Sequence, residues 1–286
     1  MNLSVRTVIR PHRLTWSQLQ KSVIGYLAAL VIAEVLVRQV SQLLAAACLA
    51  VTFVALVNLT ILAHMRESAW PVDAWRLLAV AAIPPLERLL MICMPPLRWG
   101  PVQEFVLWSV PLFVGAVVVM RTPLLASVRD RRPHVFRTTR GGYGLAGWSG
   151  QALLAVVGAA LGAVAGILAE GQLRPIGQLL AAAQPAWLAI IMVAFAGIVQ
   201  ELVYRAVVDP VATAVGARVG ILLSTLLMAS AWLLWLGAGI AVAVPITAAS
   251  LLFGWAVHRS RALIGALAGH GLFNLALALL WLRMLL

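Results

Sequence analysis

Charged residues are scarce in this chain, and their scarcity excludes most soluble folds. Asp, Glu, Lys and Arg make up 10% of the 286 residues, whereas about a quarter is usual in a soluble globular domain. Hydrophobic residues make up 63%, and the mean hydropathy is +1.00. Apolar runs long enough to cross a bilayer recur along almost the whole chain, without the period-2 alternation of a membrane β-barrel. The sequence therefore predicts an all-α polytopic membrane protein.

Acidic residues and cysteines are also few, which bears on partners and metals. Nine Asp and Glu residues stand against 21 Lys and Arg residues, giving a net charge of +12. Basic loops on one side of a membrane explain this excess, so no nucleic-acid partner is expected. The two cysteines, Cys48 and Cys93, lie in apolar segments with no Cys or His at metal-ligand spacing. We interpret them as small core residues and expect no metal and no cofactor.

The distribution of basic residues predicts the topology. Residues 1–21 are basic and polar and lack the short apolar core of a cleavable secretory signal, so the first span is expected to direct insertion. With the N-terminus in the cytoplasm, most Lys and Arg residues fall in cytoplasmic loops, which favours an N-in, C-out orientation. About nine transmembrane helices are predicted, at 22–38, 42–64, 76–95, 103–120, 151–169, 185–208, 218–236, 240–258 and 262–284.

The longest polar stretch, residues 121–150, is the best candidate boundary between two blocks. It is rich in arginine and also contains Pro and Gly. We therefore predict a four-span N-terminal block at 1–125, a basic cytoplasmic loop at 126–150 and a five-span core at 151–286. Arginines beside a membrane favour anionic lipid headgroups, so membrane lipids are expected partners.

The third predicted span contains a break. Pro84 and Pro85 remove backbone donors and kink or end a helix. Glu87 and Arg88 follow immediately. They are interpreted as a pair facing the bundle or an interface, and a ligand or proton site is the alternative.

The fifth predicted span has glycine at every fourth position. Gly158, Gly162 and Gly166 share one helix face that carries no side chains. Such a face lets another helix approach closely. Packing within the chain is the favoured use, and self-association through this face is the alternative.

Polar residues at membrane depth cluster in the last four predicted spans. Glu201 and Arg205 are four residues apart and can pair on one helix face, with Gln200 pointing about 100° away from Glu201. His270 and Asn274 are also four apart, so both can act on one oxygen atom. A carboxylate or imidazole could activate water while His and Asn stabilise an oxyanion, which would be hydrolysis. Spacing alone favours the structural alternative, in which both pairs tie helices together.

Three motifs give this half of the chain, about 185–275, a family resemblance. The segments are "VQELVYRAVV" from residue 199, "LLSTLLMASAW" from residue 222 and "HGLFN" from residue 270. They resemble, in order and spacing, the E-E-x-x-x-R, F-x-x-x-H and H-x-x-x-N motifs of the CPBP family. That family includes the CAAX-processing, Rce1-type intramembrane proteases and the bacterial Abi proteins. The resemblance implies a CPBP-like C-terminal helical core in a divergent member.

The departures from the family motifs concern the residues that the resemblance implies activate water. Gln200 replaces the first Glu, Met228 the Phe and Trp232 the His, whereas Glu201, Arg205, His270 and Asn274 are kept. Glutamine accepts no proton at useful pH, and an indole N–H only donates. The resemblance implies that the retained His and Asn hold an oxyanion.

These substitutions predict a pseudoprotease that serves as a binding module or an accessory subunit of a membrane complex. The alternative is an active or divergent CAAX-type endopeptidase that cleaves membrane-associated peptides, with His270 or Glu201 in a changed role. A transporter ranks last, because no matching broken segments occur in the two halves. A membrane protein or a membrane-associated peptide is accordingly the expected partner. Lys21 is the only lysine, a usage typical of GC-rich bacteria, so a multi-pass protein of the bacterial inner (plasma) membrane is expected.

Overall fold

A computed structural model describes residues 40–65, 74–93, 144–168, 186–213, 217–236 and 240–283, with isolated positions at 21–32 and at 114. The described parts are almost entirely helical and form no β-strand. The helices are α1 (Gln42–Met65), α2 (Ala74–Ala81), α3 (Ile83–Cys93), α4 (Trp148–Leu168), α5 (Ala186–Glu201), a π-helical segment (Leu202–Val208), α6 (Asp209–Ala212), α7 (Ala217–Leu236), α8 (Ile240–Ser260) and α9 (Ile264–Arg283).

Three described helical stretches are long and apolar enough to cross a membrane. They are Leu43–Met65, Trp148–Leu168 and Ile190–Ala212. Shorter apolar helical stretches lie within Trp75–Leu86, where α2 and α3 adjoin, Gly220–Ala229 and Ile264–Leu280. The all-α membrane architecture follows from these stretches, whereas the count of about nine spans and the N-in, C-out orientation stay predictions. Most of the predicted first and fourth spans, and most of the basic loop, lie outside the described residues.

The predicted break at the double proline is confirmed. α2 ends at Ala81, Ala82 forms a turn, and α3 begins at Ile83. Pro84 and Pro85 thus occupy the first turn of α3, where a missing N–H leaves no helical hydrogen bond unmade. Both α2 and α3 pack against α1. Arg88 is partly buried, and the side chain of Glu87 lies outside the described residues.

The glycine face of α4 packs against α9, so its predicted use within the chain is confirmed. A Cβ at Gly158 would overlap the backbone of Gly269, and a Cβ at Gly162 would overlap the backbone of Phe273. The two helices can approach this closely because no side chain separates them. α9 also packs against α5, which places α9 between the two candidate spans α4 and α5.

Two further contacts fix where α9 begins. The buried side chain of Gln151 on α4 accepts a hydrogen bond from the Gly265 backbone N–H at 2.7 Å and donates to the Leu145 carbonyl. Between α8 and α9 the chain turns at Arg261, whose φ of 58° is left-handed and whose N–H donates to Val257 O at 2.8 Å. Both contacts hold the first turn of α9 and thereby the depth of the residues that follow on this helix.

Candidate functional site

The site is built around a wide helical turn. After α5 the chain continues as the π-helical segment, and all of its seven residues are buried. π-Helical turns inside longer helices are rare and occur often at functional sites. Here the segment carries Arg205, with Glu201 directly before it and Asp209 directly after it. The three charged side chains can therefore meet along one side of the helix.

The Arg205 guanidinium is fully buried and bonded on every side. Its Nε donates to Glu201 Oε2 at 3.0 Å, which confirms the predicted pair, and Nη1 lies 3.5 Å from Asp209 Oδ1. Nη1 also donates to Ser224 Oγ at 3.1 Å, and Nη2 donates to Ser250 Oγ at 2.7 Å and to the Ser250 carbonyl. Burying a charge without partners is very costly. These hydrogen bonds and ion pairs are therefore what allows Arg205 to lie in the core.

Glu201 contacts His270 as well as Arg205. Its Oε1 lies 3.3 Å from His270 Nδ1, and both side chains are buried. Glu201 therefore faces α9 as well as its own helix. The physical reason is that a carboxylate has two oxygens: one faces Arg205 on its own helix and the other faces α9. Glu201 thus joins the first and last motifs.

Asn274 binds the backbone of α5. Its Nδ2 donates to the Val193 carbonyl at 3.0 Å, so that donor already has an acceptor. α5 comes this close because it has Gly197 here: a Cβ would lie 2.6 Å from His270 O and 2.8 Å from Asn274 Nδ2. The Oδ1 atom of Asn274 is buried with no hydrogen-bond partner among the described residues. Oδ1 of Asn274 is therefore an unused acceptor, which suits a donor such as an N–H or a water.

The two positions where the family's water-activating residues are replaced lie on α5 and α7. Gln200 is partly buried, and its Oε1 has no hydrogen-bond partner within the described part of the chain. Trp232 belongs to the second half of α7, and its side chain lies outside the described residues. Met228, one turn earlier on α7, is buried, and its Sδ lies 3.7 Å from Arg205 Nη2 and 3.3 Å from Ser250 Oγ. The second motif thus reaches the Arg205 network through Met228.

His270 lines a small cavity beside this network. The cavity has a volume of about 10 Å³, which is room for about one water molecule. Its wall is otherwise mostly apolar and is formed by Met228, Ile246, Ala249, Ser250, Phe253, His270 and Phe273. Among the described residues, no three His, Cys, Asp or Glu side chains are placed together to hold a metal ion. The arrangement can therefore hold a water or a single polar group against His270.

Three members of the buried network were absent from the sequence prediction. Asp209 lies four residues after Arg205, the spacing that identified Glu201, so the same criterion could have found it. Ser224 and Ser250 lie on α7 and α8 and meet Arg205 only through the tertiary packing. Serine in an apolar helix commonly bonds its own backbone, as Ser224 also does to Ile221 O at 3.1 Å. No sequence pattern therefore indicates that Ser224 and Ser250 contact Arg205.

Comparison with known families gives a match within the C-terminal half of the chain. Residues 182–276 match the family model described as type II CAAX prenyl endopeptidase Rce1-like. This Rce1-like segment, about a third of the chain, is similar to that family. The Rce1-like segment covers α5 to most of α9 and contains every residue of the buried network. No curated protein and no solved structure matches the chain.

Proposed function

We propose that this CPBP-fold membrane protein binds a membrane protein or a membrane-associated peptide without cleaving it. The observation that carries the proposal is the state of the acidic residue that remains. One oxygen of Glu201 accepts a hydrogen bond from Arg205 and the other lies 3.3 Å from His270 Nδ1, while glutamine stands at position 200. That arrangement supports a pseudoprotease that acts as a binding module or accessory subunit.

The groups that remain suit binding rather than turnover. A general base contributes about 10²–10⁴ in rate, and both family positions that would supply one are changed, to Gln200 and Trp232. The partnerless oxygens of Gln200 and Asn274 can accept hydrogen bonds from a peptide N–H. We therefore place the recognition site at the junction of α5 and α9.

A cleavage assay tests this proposal. The purified chain in proteoliposomes is expected to leave both a membrane-tethered peptide and a prenylated CAAX peptide uncut. The Gln200→Glu/Trp232→His double variant restores both family residues and is expected to raise cleavage by at least about 100-fold over that background, from the size of a general-base effect. Gln200→Glu/Trp232→Phe is the matched control, because it restores the charge without the imidazole and should stay inactive.

Two outcomes would contradict the proposal. One is cleavage by the wild-type chain that His270→Ala abolishes. The other, for an accessory subunit, is a chain that purifies from its native membrane in mild detergent as a monomer with no stoichiometric partner. The first measurement tests whether the chain cleaves peptides, and the second tests whether it belongs to a complex. The two claims can therefore be contradicted separately.

One observation favours a second candidate, a divergent endopeptidase. His270 contacts Glu201 at 3.3 Å and lines a cavity with room for about one water. In this scheme His270, oriented by Glu201, takes a proton from that water while the water oxygen attacks the peptide carbonyl carbon. His270 then returns the proton to the amine that leaves as the C–N bond breaks. Loss of wild-type cleavage in both His270→Ala and Glu201→Gln would select this candidate.

A further inference from the structure

A larger cavity lies outside the Rce1-like segment, between α1 and the α2–α3 pair. Its volume is about 260 Å³, against about 10 Å³ for the cavity at His270. It is lined by Phe53, Val57, Thr60, Ile61, Ala79, Ala82, Ile83 and Leu86. The Thr60 hydroxyl donates to Leu56 O at 2.7 Å, so its hydrogen atom is already used. The cavity is therefore suited to an apolar ligand.

This cavity opens on the outer surface of the helices. Val57 and Leu86 are each 36% exposed and Ile61 is 51% exposed. Leu43–Met65 is one of the candidate membrane spans, so the exposed side of α1 faces hydrocarbon in a bilayer. The cavity can then be filled by a lipid chain directly from the membrane.

A cationic and aromatic cluster lies at one end of the same cavity. The Trp75 ring contacts the His64 ring with centroids 4.9 Å apart, and Arg76 Cζ lies 4.4 Å from the Trp75 ring centroid. His64 comes three residues after Ile61 on α1, and Arg76 comes three residues before Ala79 on α2. Both positions are thus about one helical turn from the cavity.

The cluster also lies at the depth of lipid headgroups. The candidate span on α1 ends at Met65, which places His64 at a membrane–water interface. Trp and basic residues are enriched at this level, where the indole meets the headgroups and the cation meets phosphate. Charge complementarity therefore selects an anionic headgroup for this end of the cavity.

We propose that α1, α2 and α3 bind one anionic phospholipid, with an acyl chain in the cavity and the phosphate at Arg76. The proposal uses no residue of the Rce1-like segment and is independent of cleavage or its absence. It also gives the N-terminal part of the chain a binding role of its own.

A lipid-competition experiment tests whether this cavity binds an anionic phospholipid. The delipidated full-length chain is equilibrated in mixed micelles with equimolar dioleoyl phosphatidylglycerol and dioleoyl phosphatidylcholine, and bound lipids are counted by native mass spectrometry. Wild type is expected to retain one lipid, with phosphatidylglycerol preferred. Arg76→Gln should keep the lipid but lower that preference about five-fold, the effect of one basic residue near the surface. Ala79→Phe should fill the cavity and lose the lipid.

Matched controls remove equal charge or add equal bulk elsewhere. Arg259→Gln changes an exposed arginine at the end of α8, and Ala152→Phe changes an exposed alanine on α4. Both should bind as wild type does. Equal binding of the two lipids by wild type, or an unchanged preference in Arg76→Gln, would overturn the proposal. The Arg76→Gln result decides it even if Ala79→Phe does not fold.

Discussion

Replacing Arg205 by methionine is expected to lower the free energy of unfolding by about 3–5 kcal/mol, the usual cost of breaking a buried ion pair from one side. The substitution keeps an unbranched side chain but leaves Glu201 and Asp209 buried without their cation. The hydroxyls of Ser224 and Ser250 also lose a donor. The measurement is the unfolding transition in mild detergent, followed by circular dichroism.

A second variant distinguishes electrostatics from lost packing. Glu201→Gln/Arg205→Met/Asp209→Asn removes the cation and both carboxylates together, and neutral replacement of a whole buried ion cluster is often tolerated. This triple variant should be more stable than Arg205→Met alone. Arg259→Met, at an exposed position on α8, should change stability by no more than about 0.5 kcal/mol. An Arg205→Met variant as stable as wild type would show that the network is not needed for folding.

Replacing Gly162 by leucine is expected to cost about 3 kcal/mol, the upper part of the range for overpacking. The new side chain would meet the backbone of Phe273 on α9, and a backbone segment cannot rotate aside. Ala160→Leu adds the same side chain to the exposed face of α4 and should be close to neutral. Thermal unfolding of the two variants in the same detergent gives the comparison.

A graded set of alanine substitutions tests the same contact more finely. Gly158→Ala and Gly162→Ala place a methyl group against the backbone of α9, whereas Gly166→Ala meets first the Leu280 side chain, with Cδ1 at 2.8 Å. A side chain can change rotamer, so Gly166→Ala should cost least. A Gly166→Ala variant destabilised as much as the other two would contradict this packing.

Several structural features could be predicted from residues that lie close together in the sequence. Helix type, the break before Pro84, the packing face with Gly158 and the Glu201–Arg205 pair all depend on residues a few positions apart. The order of the three motifs also located the Rce1-like segment, because the family pattern preserves spacing. These features could be predicted since each is determined by helical periodicity or by proline chemistry.

Contacts between distant helices could not be predicted in the same way. The approach of Glu201 to His270 depends on how α5 meets α9, which is set by Gly197 and by the wide turn after residue 201. Ser250 reaches Arg205 from 45 residues away. The sequence gives the chemistry of these groups but not the helix rotation that brings them together.

The π-helical segment also determines how the two ends of one long helix are rotated relative to each other. In a regular α-helix four residues advance about 400°, so successive positions four apart drift around the axis by about 40°. Wider turns reduce that drift, and Glu201, Arg205 and Asp209 all stay in contact across nine positions. The extra backbone of this segment therefore sets the direction of α6 relative to α5.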